Sequence, residues 1–444
     1  MQQIRIGMIG GGTVGGGVYK ALRRNGDLLA ARVGIRLAIK RIAVKAFDEP
    51  RKVAIPHSLL TLDWREVVED PEVDLVLELA GGTTTAREMV LCALRLGKPV
   101  VTANKALLSA HGEELFGEAR RRGANLYYEA SVGGGIPIIK ALREGFVGNR
   151  IERIYGIVNG TCNYILTRMK LEKVDFEVAL SEAQKAGYAE ADPSLDIDGH
   201  DSLHKIGILA SLAHGFWVDP RRIHVEGIRR LSKLDVEFAS QLGYTIKLLG
   251  MAKKIQPQTA PGKSPAKNEG LLVAVYPALI PNSHVLASVN HSFNAVFVRG
   301  DVVGDTLFYG RGAGQDPTAS AVLSDLADAA LDLKHNTRQR VPPFVPHDKH
   351  GRLLPINDAV SRYYIRLKVV DRPGVLAAIA AVLAKANISI SSVIQPEGRE
   401  GDNVPLILMI HEAPNKAMAD ALRRVARLPV VKASPVMIRV ENLD

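Results

Sequence analysis

The sequence has little cysteine and no long apolar run. Its 444 residues include two cysteines, Cys92 and Cys162, which lie far apart in the chain. This count argues against a disulfide framework and suits a reducing compartment. The first residues, MQQIRIGMIGGG, lack the shape of a signal peptide, and no stretch of about 18 apolar residues predicts a membrane span. We therefore expect a cytoplasmic protein with no membrane partner.

Aromatic residues are also scarce, and basic residues are not concentrated anywhere. Phe, Trp and Tyr make up 5% of the chain, so few side chains could stack on nucleic-acid bases. The net charge is +10, but Lys and Arg are scattered, and their tightest runs, such as ARRRG, are short. We expect no nucleic-acid partner, because small anionic ligands explain local basic residues equally well.

The order of apolar segments predicts an α/β protein of several domains. Strand and helix patterns alternate over residues 1–135, which predicts a doubly wound parallel sheet. Residues 136–335 have the pattern of a mixed α/β domain that contains a Pro- and Lys-rich surface excursion at Lys253–Gly270. A weakly patterned linker at 336–361 precedes residues 362–444, whose order βαββαβ predicts a ferredoxin-like unit.

A glycine-rich turn follows the first predicted strand. Gly10, Gly12 and Gly15 fit G-x-G-x-x-G and stand directly before a helical pattern. In a Rossmann-type domain, these glycines permit a tight turn, the approach of a pyrophosphate and close helix packing. The context predicts a dinucleotide site, and the alternative is a plain tight turn between strand and helix.

The second predicted strand bears on the choice between NAD and NADP. A site for NAD expects an acid about 20 residues beyond the glycines, yet this region, AIKRIAVKAF, has no acid before Asp48. Its cations favour the 2′-phosphate of NADP, with Lys45 the first candidate and Arg41 the second. The alternative is that these side chains face solvent.

Two further features have the character of a ligand site. Lys105 closes a predicted strand in VVTANK, where open α/β sheets bind ligands. The stretch AGYAEADPSLDIDGHDSLHK places five carboxylates ahead of Lys205, at Glu190, Asp192, Asp196, Asp198 and Asp201.

The acidic stretch has several possible meanings. Asp201 and Lys205 lie four residues apart and would share a helix face, with Asp201 as N-cap or in the first turn. Asp196 and Asp198 would point the same way on extended backbone. The stretch could therefore cap a helix or hold a cationic ligand. Calcium is poorly supported, since the EF-hand template fails, and zinc is too, since no HExxH motif surrounds the histidines.

Several segments resemble the homoserine dehydrogenase family, residue by residue and in order over about residues 4–330. They are TANK at Thr102–Lys105, EASVGGGIPII at Glu129–Ile139, NGTCNYIL at Asn159–Leu166, and the signature residues Ala183, Gly187, Asp192, Pro193, Asp196, Gly199, Asp201 and Lys205. The tail segment DRPGVLAAIA at Asp371–Ala380 resembles an ACT domain, an amino-acid-sensing module.

The resemblance implies an oxidoreductase that reversibly reduces L-aspartate 4-semialdehyde to L-homoserine with NADP or NAD. The pathway would be the biosynthesis of threonine, methionine and isoleucine. Lys205 would be the general acid, and Lys105 would lie beside the reacting oxygen and the nicotinamide. Glu190 and Asp201 would bind the substrate, with Asp196 close by.

The resemblance also implies other ligands and partners. A monovalent cation, usually sodium, would be bound at Glu129, Val132, Gly134 and Ile136. The cofactor would contact Thr13, Val14 and the late loop at Gly314. An amino acid, threonine first, would bind between paired ACT domains in a homo-oligomer, a dimer or a tetramer.

Two other functions remain open from the sequence. Aspartate-semialdehyde dehydrogenase chemistry needs a cysteine nucleophile, for which Cys162 is the candidate. A non-catalytic amino-acid sensor is the second alternative. The chain also departs from the family in ending its second strand region with Lys45 where Arg is more usual, which leaves NAD or NADP open.

Overall fold

The computed structural model describes residues 1–255, 269–396, 399 and 401–443. The strands are β1 (Gln2–Ile9), β2 (Ile35–Ala43), β3 (Leu60–Thr61), β4 (Leu75–Glu78), β5 (Val100–Thr102), β6 (Leu126–Tyr127), β7 (Ile151–Ile157), β8 (His224–Val225), β9 (Tyr244–Ile255), β10 (Gly270–Pro281), β11 (Phe293–Gly300), β12 (Gly304–Arg311), β13 (Val360–Val370), β14 (Ile390–Ile394), β15 (Asn403–Pro414) and β16 (Val436–Val440).

The helices follow in the same numbering. They are α1 (Thr13–Val33), α2 (Arg65–Val68), α3 (Thr85–Arg95), α4 (Lys105–Arg122), α5 (Ile138–Lys140), α6 (Gly160–Leu171), α7 (Phe176–Lys185), α8 (Ser194–Ile197), α9 (His200–His214), α10 (Lys233–Gln241), α11 (Gln315–Lys334), α12 (Val375–Lys385) and α13 (Asn415–Val425). Among the described residues, none of these helices is long and apolar enough to cross a membrane.

The chain divides into two compact units that alternate along the sequence. The first comprises Met1–Ile154, His204–Arg221 and Phe293–Gly351. The second comprises Tyr155–Leu203, Arg222–Ser292 and Arg352–Asp444.

The first unit contains a parallel sheet in the order β3-β2-β1-β4-β5-β6. Its central strands are apolar on both faces, and all four residues of β4 are buried, as expected for strands covered by helices on both sides. The strand order reverses between β1 and β4, where the carboxyl ends leave a crevice for a ligand. The predicted doubly wound sheet is confirmed.

A late helix returns to this sheet. α11 packs against α1, and Ala319, Val322 and Leu326 join the hydrophobic core of the sheet. A Cβ on Gly17 would lie 2.7 Å from the Gln315 side chain, so the glycine run of α1 lets the two helices approach closely. The same unit contains the antiparallel pair β11 and β12.

The second unit has a mixed sheet and contains part of the predicted mixed α/β domain, whose other residues belong to the first unit. β10 pairs along its whole length with β9 in antiparallel register. It also pairs with β8 in parallel. β16 also pairs with β10 in parallel, through Ala278 with Arg439 and Leu279 with Val440. The sheet of the tail is therefore joined to the sheet that precedes it.

The tail has the predicted order βαββαβ. Its sheet runs β16-β13-β15-β14 with antiparallel neighbours, which is the ferredoxin-like arrangement. Val375, Ile379 and Leu383, spaced four residues apart on α12, are buried in its core. This periodicity is why the segment forms a helix on one face of the sheet.

Two stretches of the sequence lack helix or strand periodicity, the predicted surface excursion and the predicted linker. Residues 256–268 of the predicted surface excursion lie outside the described part of the chain. Within the predicted linker at 336–361, Phe344 packs against Phe116 and Trp217, and Leu354 is buried over Gly270. A segment without helix or strand periodicity can still contribute single apolar side chains to a core.

Candidate active site

Three glycines shape the turn between β1 and α1, each for a different reason. Gly10 has a φ of +105°, and a Cβ there would lie 2.5 Å from the Leu79 carbonyl oxygen. A Cβ on Gly15 would lie 2.0 Å from the Gly10 carbonyl oxygen. A Cβ on Gly12 would meet nothing within 4 Å, so this peptide faces open space. The turn therefore leaves room where a pyrophosphate approaches and is closed where the helix packs.

The helix after the turn offers backbone donors. α1 begins at Thr13, and Gly16 N donates to Gly12 O at 2.8 Å. The N–H groups of Thr13 and Val14 belong to the first turn, which has no partners within the helix. Both residues thus lie at the positive end of the helix dipole, where anions bind.

The glycine turn borders a cleft of about 570 Å³ within the first unit. Its lining includes Gly10–Gly12, Lys45 and Thr83–Ala86. Of the two predicted cations, the structure brings Lys45 to this cleft. The Arg41 guanidinium instead lies 2.7 Å from the Glu66 carboxylate and lines a separate depression.

Arg51 is a cation beside the turn that the sequence pattern did not reveal. Its Nε lies 3.4 Å from the position of a Cβ on Gly11, and its Nη atoms donate to the carbonyl oxygens of Ala46 and Phe47. The Nε is buried with no hydrogen-bond partner among the described residues. Because Arg51 lies in a loop without periodicity, nothing in the local sequence marked it.

Glu78, at the end of β4, organises the opposite side of the cleft and was also missed. Its Oε1 accepts from the N–H groups of Ala80 (2.9 Å) and Gly81 (3.1 Å), and its Oε2 accepts from Thr102 Oγ1 at 2.6 Å. Burial raises the pKa of this carboxyl, although the hydrogen bonds act in the opposite direction. An acid at the carboxyl end of an otherwise apolar parallel strand was the available signal.

The sequence predicted Lys105 at the end of a strand, whereas β5 ends at Thr102 and Lys105 is the first residue of α4. Asn104 caps this helix, since its Oδ1 accepts from Leu107 N at 3.1 Å. The Asn104 Nδ2 donates to Gly82 O at 2.8 Å, and Gly82 lines the cleft. The cap residue therefore holds the start of α4, including Lys105, next to Gly82 of the cleft.

Glu129 is buried, and both of its carboxylate oxygens are engaged. Oε1 accepts from Ile139 N at 2.9 Å, and Oε2 accepts from Lys140 N at 2.7 Å. Burial raises the pKa of Glu129 to about 7. The carboxylate therefore lies at the start of α5, where its charge is only partly compensated.

The loop after Glu129 contains glycines at positive φ and in close contact with other backbone. Gly134 has a φ of +56°, and a Cβ there would lie 2.5 Å from the Gly312 backbone. Val132 is fully buried, and the Ile136 carbonyl oxygen accepts from Ile138 N at 2.8 Å. Two residues after Gly312, Gly314 has a φ of +114° and precedes α11 as its N-cap.

The chemistry of these residues can be compared with what the expected monovalent cation requires. Glu129 supplies one buried carboxylate, and the loop supplies backbone carbonyls, the oxygen ligands that hard cations prefer. Within the described ranges, no group of three or more His, Cys, Asp or Glu side chains is arranged to hold a metal ion.

The acidic stretch of the second unit is organised by Asn159. The Asn159 Nδ2 donates to Asp196 Oδ1 at 2.7 Å and to Asp201 Oδ2 at 2.9 Å. Asp201 is buried in the first turn of α9, and Glu190 is exposed. One amide therefore holds two of the three carboxylates predicted to bind substrate.

The neighbouring acids have structural roles. Asp192 accepts from the N–H and hydroxyl of Ser194, which starts the helical turn α8. Asp198 pairs with Arg229. Because α8 replaces the expected extended backbone, Asp196 and Asp198 have different partners, and the prediction that they point the same way was wrong.

Lys205 belongs to the first unit and lies one helical turn after Asp201 in the sequence of α9. Lys205 is 7% exposed, so its amino group is held in a largely buried position. Such a group can donate a proton or stabilise a developing negative charge.

Cys162 does not have the position of a nucleophile. It is fully buried, and its thiol donates to the Asp196 carbonyl oxygen at 3.2 Å. A buried thiol with a backbone acceptor has no access to a substrate carbonyl, which argues against aspartate-semialdehyde dehydrogenase chemistry.

Family models cover most of the chain. The NAD-binding domain of homoserine dehydrogenase matches residues 10–129, homoserine dehydrogenase matches residues 137–327, and the ACT domain matches residues 363–428.

Known proteins resemble the chain over its full length. The homoserine dehydrogenase of Pseudomonas aeruginosa is 42% identical and covers 100% of both chains, and that of Bacillus subtilis is 37% identical over 100% of this chain and 99% of the other. The crystal structure of a homoserine dehydrogenase from Thiobacillus denitrificans has a TM-score of 0.92 at 42% identity, covering 100% of this chain and 99% of that one.

A more distant structure shares part of the fold. A hyperthermophilic archaeal homoserine dehydrogenase in complex with NADPH has a TM-score of 0.61 at 26% identity, covering 74% of this chain and 98% of that one. The match of all three family models in order, together with relatives of this identity along the whole length, means that the chain belongs to the homoserine dehydrogenase family.

Proposed function

We propose that Lys205 is the general acid of the homoserine dehydrogenase reaction and that Glu190, Asp196 and Asp201 bind the substrate ammonium. The shared amide of Asn159 supports this proposal, since it holds Asp196 and Asp201, and Asp201 precedes Lys205 by one helical turn in the sequence of α9.

The chemistry of the substrate supports these roles. L-Aspartate 4-semialdehyde and L-homoserine are zwitterions, so their ammonium group needs carboxylates. The bound nicotinamide cofactor supplies or accepts the hydride. Reduction builds negative charge on the aldehyde oxygen, to which Lys205 donates a proton, and Lys105 stabilises the same charge. In the reverse direction, Lys205 accepts the hydroxyl proton.

The replacement Lys205→Met tests the assignment. General acid catalysis typically contributes about 10²–10⁴-fold, so kcat should fall by this factor while NADPH binding, followed by fluorescence, stays unchanged. Lys233→Met, at a partly exposed lysine of α10, is the matched control and should retain wild-type turnover. Wild-type kcat in Lys205→Met would contradict the role and favour a non-catalytic sensor.

NADP is the preferred cofactor in this proposal. Lys45 lines the glycine cleft and could pair with a 2′-phosphate, and a family member was solved with NADPH. In Lys45→Glu, kcat/KM with NADPH should fall at least about ten-fold while the value with NADH is retained. An unchanged ratio of the two values would contradict this preference.

Sodium is the proposed cation, bound by Glu129 and by the carbonyls of Val132, Gly134 and Ile136. It would compensate the buried carboxylate of Glu129 and hold the loop against Gly312. Sodium chloride should therefore raise Tm above that in choline chloride at equal ionic strength. Glu129→Gln should abolish this difference, and a wild-type protein that does not distinguish the salts would contradict the site.

The ACT domain implies a small-molecule effector, and threonine is the proposed one. The turn Asp371–Ala380 contains Gly374 at φ +86° and leaves Leu376 exposed at the start of α12. We place threonine at this turn between ACT domains of a homodimer or tetramer. Saturating threonine should inhibit turnover and raise Tm, and no change in either would contradict it.

The cellular setting is part of the same proposal. The enzyme would act in threonine, methionine and isoleucine biosynthesis and reside in the cytoplasm, where Cys92 and Cys162 remain free thiols.

Domain boundaries at 1–135, 136–335, 336–361 and 362–444 remain proposed. Cell fractionation and limited proteolysis test these two assignments.

A further inference from the structure

A second cavity lies within the second unit, away from the turn proposed for threonine. It has a volume of about 780 Å³, within the usual range for small-molecule sites. One wall includes residues of α13 and β16 of the ACT module, and the other includes residues of the Val225–Leu231 segment with Asp198, His200 and Pro277. Among the described residues, no part of Asp371–Ala380 contributes to the lining.

The charged groups of the cavity favour a carboxylate ligand. Asp198 is paired with Arg229, and Arg423 is paired with Asp420. Arg230 is exposed and has no hydrogen bond or ion pair among the described residues. One uncompensated guanidinium therefore faces this space, and guanidinium groups bind carboxylates in bidentate fashion.

The same wall offers an acceptor for an ammonium group. Both hydrogen bonds of Glu226, from Arg439 Nη1 at 2.9 Å and with His224 Nε2 at 2.7 Å, involve Oε1. Oε2 has no such bond in the described structure, and the Glu226 side chain is 35% exposed. An acceptor and a guanidinium thus stand four residues apart on one segment, at Glu226 and Arg230.

The remaining lining is mostly aliphatic. Leu422 on α13 and Val436 and Met437 on β16 face the cavity and are only half-buried. Burial of these side chains against an apolar ligand would be favourable.

The Val225–Leu231 wall of the cavity also contacts the acidic stretch at Ile197 and Asp198. Ile228 N donates to Ile197 O at 2.8 Å. A Cβ on Gly227 would lie 2.1 Å from Ile197 O and 2.5 Å from Asp198 Cα, so the two segments are in direct contact. Asp198 lies between Asp196 and Asp201, the two carboxylates that Asn159 holds. A ligand that moves the Val225–Leu231 segment would therefore move these acids.

We propose that this cavity binds a zwitterionic α-amino acid with an aliphatic side chain, which regulates substrate affinity. The carboxylate pairs with Arg230, the ammonium with Glu226 Oε2, and the side chain packs against Leu422, Val436 and Met437. The regulation rests on the proposed substrate role of Asp196 and Asp201, whereas the binding itself does not.

Isothermal titration of the full-length enzyme with L-leucine tests the binding. Two probes each lack one charged group: 4-methyl-2-oxopentanoate lacks the ammonium, and 3-methylbutylamine lacks the carboxylate. Both should bind at least about ten-fold more weakly than L-leucine, because each loses one charge-assisted contact. No saturable heat with L-leucine, or equal affinity for the oxo acid, would overturn the proposal.

Two variants locate the site. Arg230→Gln removes the carboxylate partner and should raise the Kd for L-leucine at least about ten-fold. Ala419→Phe fills the space from α13 without changing charge and should abolish binding. Arg424→Gln, an exposed arginine of the same helix outside the lining, should bind as wild type. Wild-type affinity in both cavity variants would overturn the assignment.

Kinetics separate the regulation from the binding and from the threonine site. Saturating L-leucine should change KM for L-homoserine about five-fold or more with kcat retained, and Arg230→Gln should lose this response while it keeps basal turnover and the response to threonine. Binding without any change in KM would overturn the regulatory part. An enzyme insensitive to threonine but responsive to L-leucine would contradict the threonine proposal and leave this one supported.

Discussion

At the scale of single residues, the acidic stretch depends on a residue outside it. Asn159 lies 37 residues before Asp196 and 42 before Asp201, and its amide donates to both carboxylates. This shared donor holds the two carboxyl groups close together. Asn159 is therefore a positioning residue for the proposed ammonium site.

Asn159→Ala should raise KM for L-homoserine by about ten-fold, since hydrogen bonds to charged groups contribute about 1.5–3 kcal/mol. We expect a smaller effect on kcat because Lys205 is unchanged. Steady-state kinetics with Asn25→Ala as a surface control measure this. An unchanged KM in Asn159→Ala would contradict the positioning role.

A buried lysine gives the protein a pH-dependent stability. Lys247 is 1% exposed and donates to Asn163 Oδ1 at 3.0 Å and to Val289 O at 2.5 Å. Burial lowers its pKa from 10.5 to about 7, with a smaller contribution from Lys170. The unfolded chain therefore binds more protons than the folded one between these two values, and stability rises with pH across this window.

Lys247→Met should remove this dependence. Between pH 7 and about 10, the free energy of unfolding of the wild type should rise relative to the variant by up to about 1.4 kcal/mol per pH unit. Urea unfolding at several pH values measures the difference. Lys254→Met, an exposed lysine of the same strand, should show no such trend. Parallel pH profiles for the wild type and Lys247→Met would contradict the depressed pKa.

At the scale of elements, the first helix separates glycines needed for folding from those needed for binding. A Cβ added to Gly15 would clash with the turn. A Cβ added to Gly12, before α1, or to Gly26, inside α1, would meet nothing within 4 Å. The same substitution should therefore have three different effects along one helix.

Gly12→Ala should fold like the wild type but bind NADPH at least about ten-fold more weakly, since its Cβ occupies the approach of the pyrophosphate. Gly15→Ala should lose stability as well as binding. Gly26→Ala should gain about 0.5–1 kcal/mol of stability and bind normally. Circular dichroism melts and NADPH titration measure both properties. Normal NADPH affinity in Gly12→Ala would contradict the placement of the pyrophosphate.

At the scale of the whole molecule, the ACT module is built into the second unit. Asp235 of α10 is fully buried, completes the capping box with Ser232 and accepts from Arg366 Nε at 2.7 Å on β13. Tyr364 of the same strand donates to Asp235 at 3.1 Å. A single carboxylate therefore stabilises a helix start and its junction with the ACT sheet.

Arg366→Met should reduce the free energy of unfolding by roughly 3 kcal/mol, because it leaves a buried carboxylate without its cation. Lys368→Met, exposed two residues further along the same strand, should change it by less than about 0.5 kcal/mol. Chemical denaturation measures both. Equal stabilities for the two variants would contradict a junction held by the buried pair.

Much of the site could be predicted because its residues follow local patterns. Gly10, Gly12 and Gly15 follow the buried strand β1 and precede a helix. Lys105 follows another buried strand, β5. Glu78 follows the same rule, since it is the last residue of the buried strand β4. Arg51 had no such signal, since a loop residue has no periodicity to mark its direction.

The sequence by itself determined the order of the modules, the doubly wound sheet, the ferredoxin-like tail and the glycine turn. These depend on periodicity and on steric limits within a few residues. Only the tertiary structure decided that Lys45 rather than Arg41 lines the cleft, that Asn159 joins Asp196 and Asp201, and that α13 and β16 enclose a cavity with Val225–Leu231. Such contacts join segments distant in sequence, and no local pattern specifies which side chains meet.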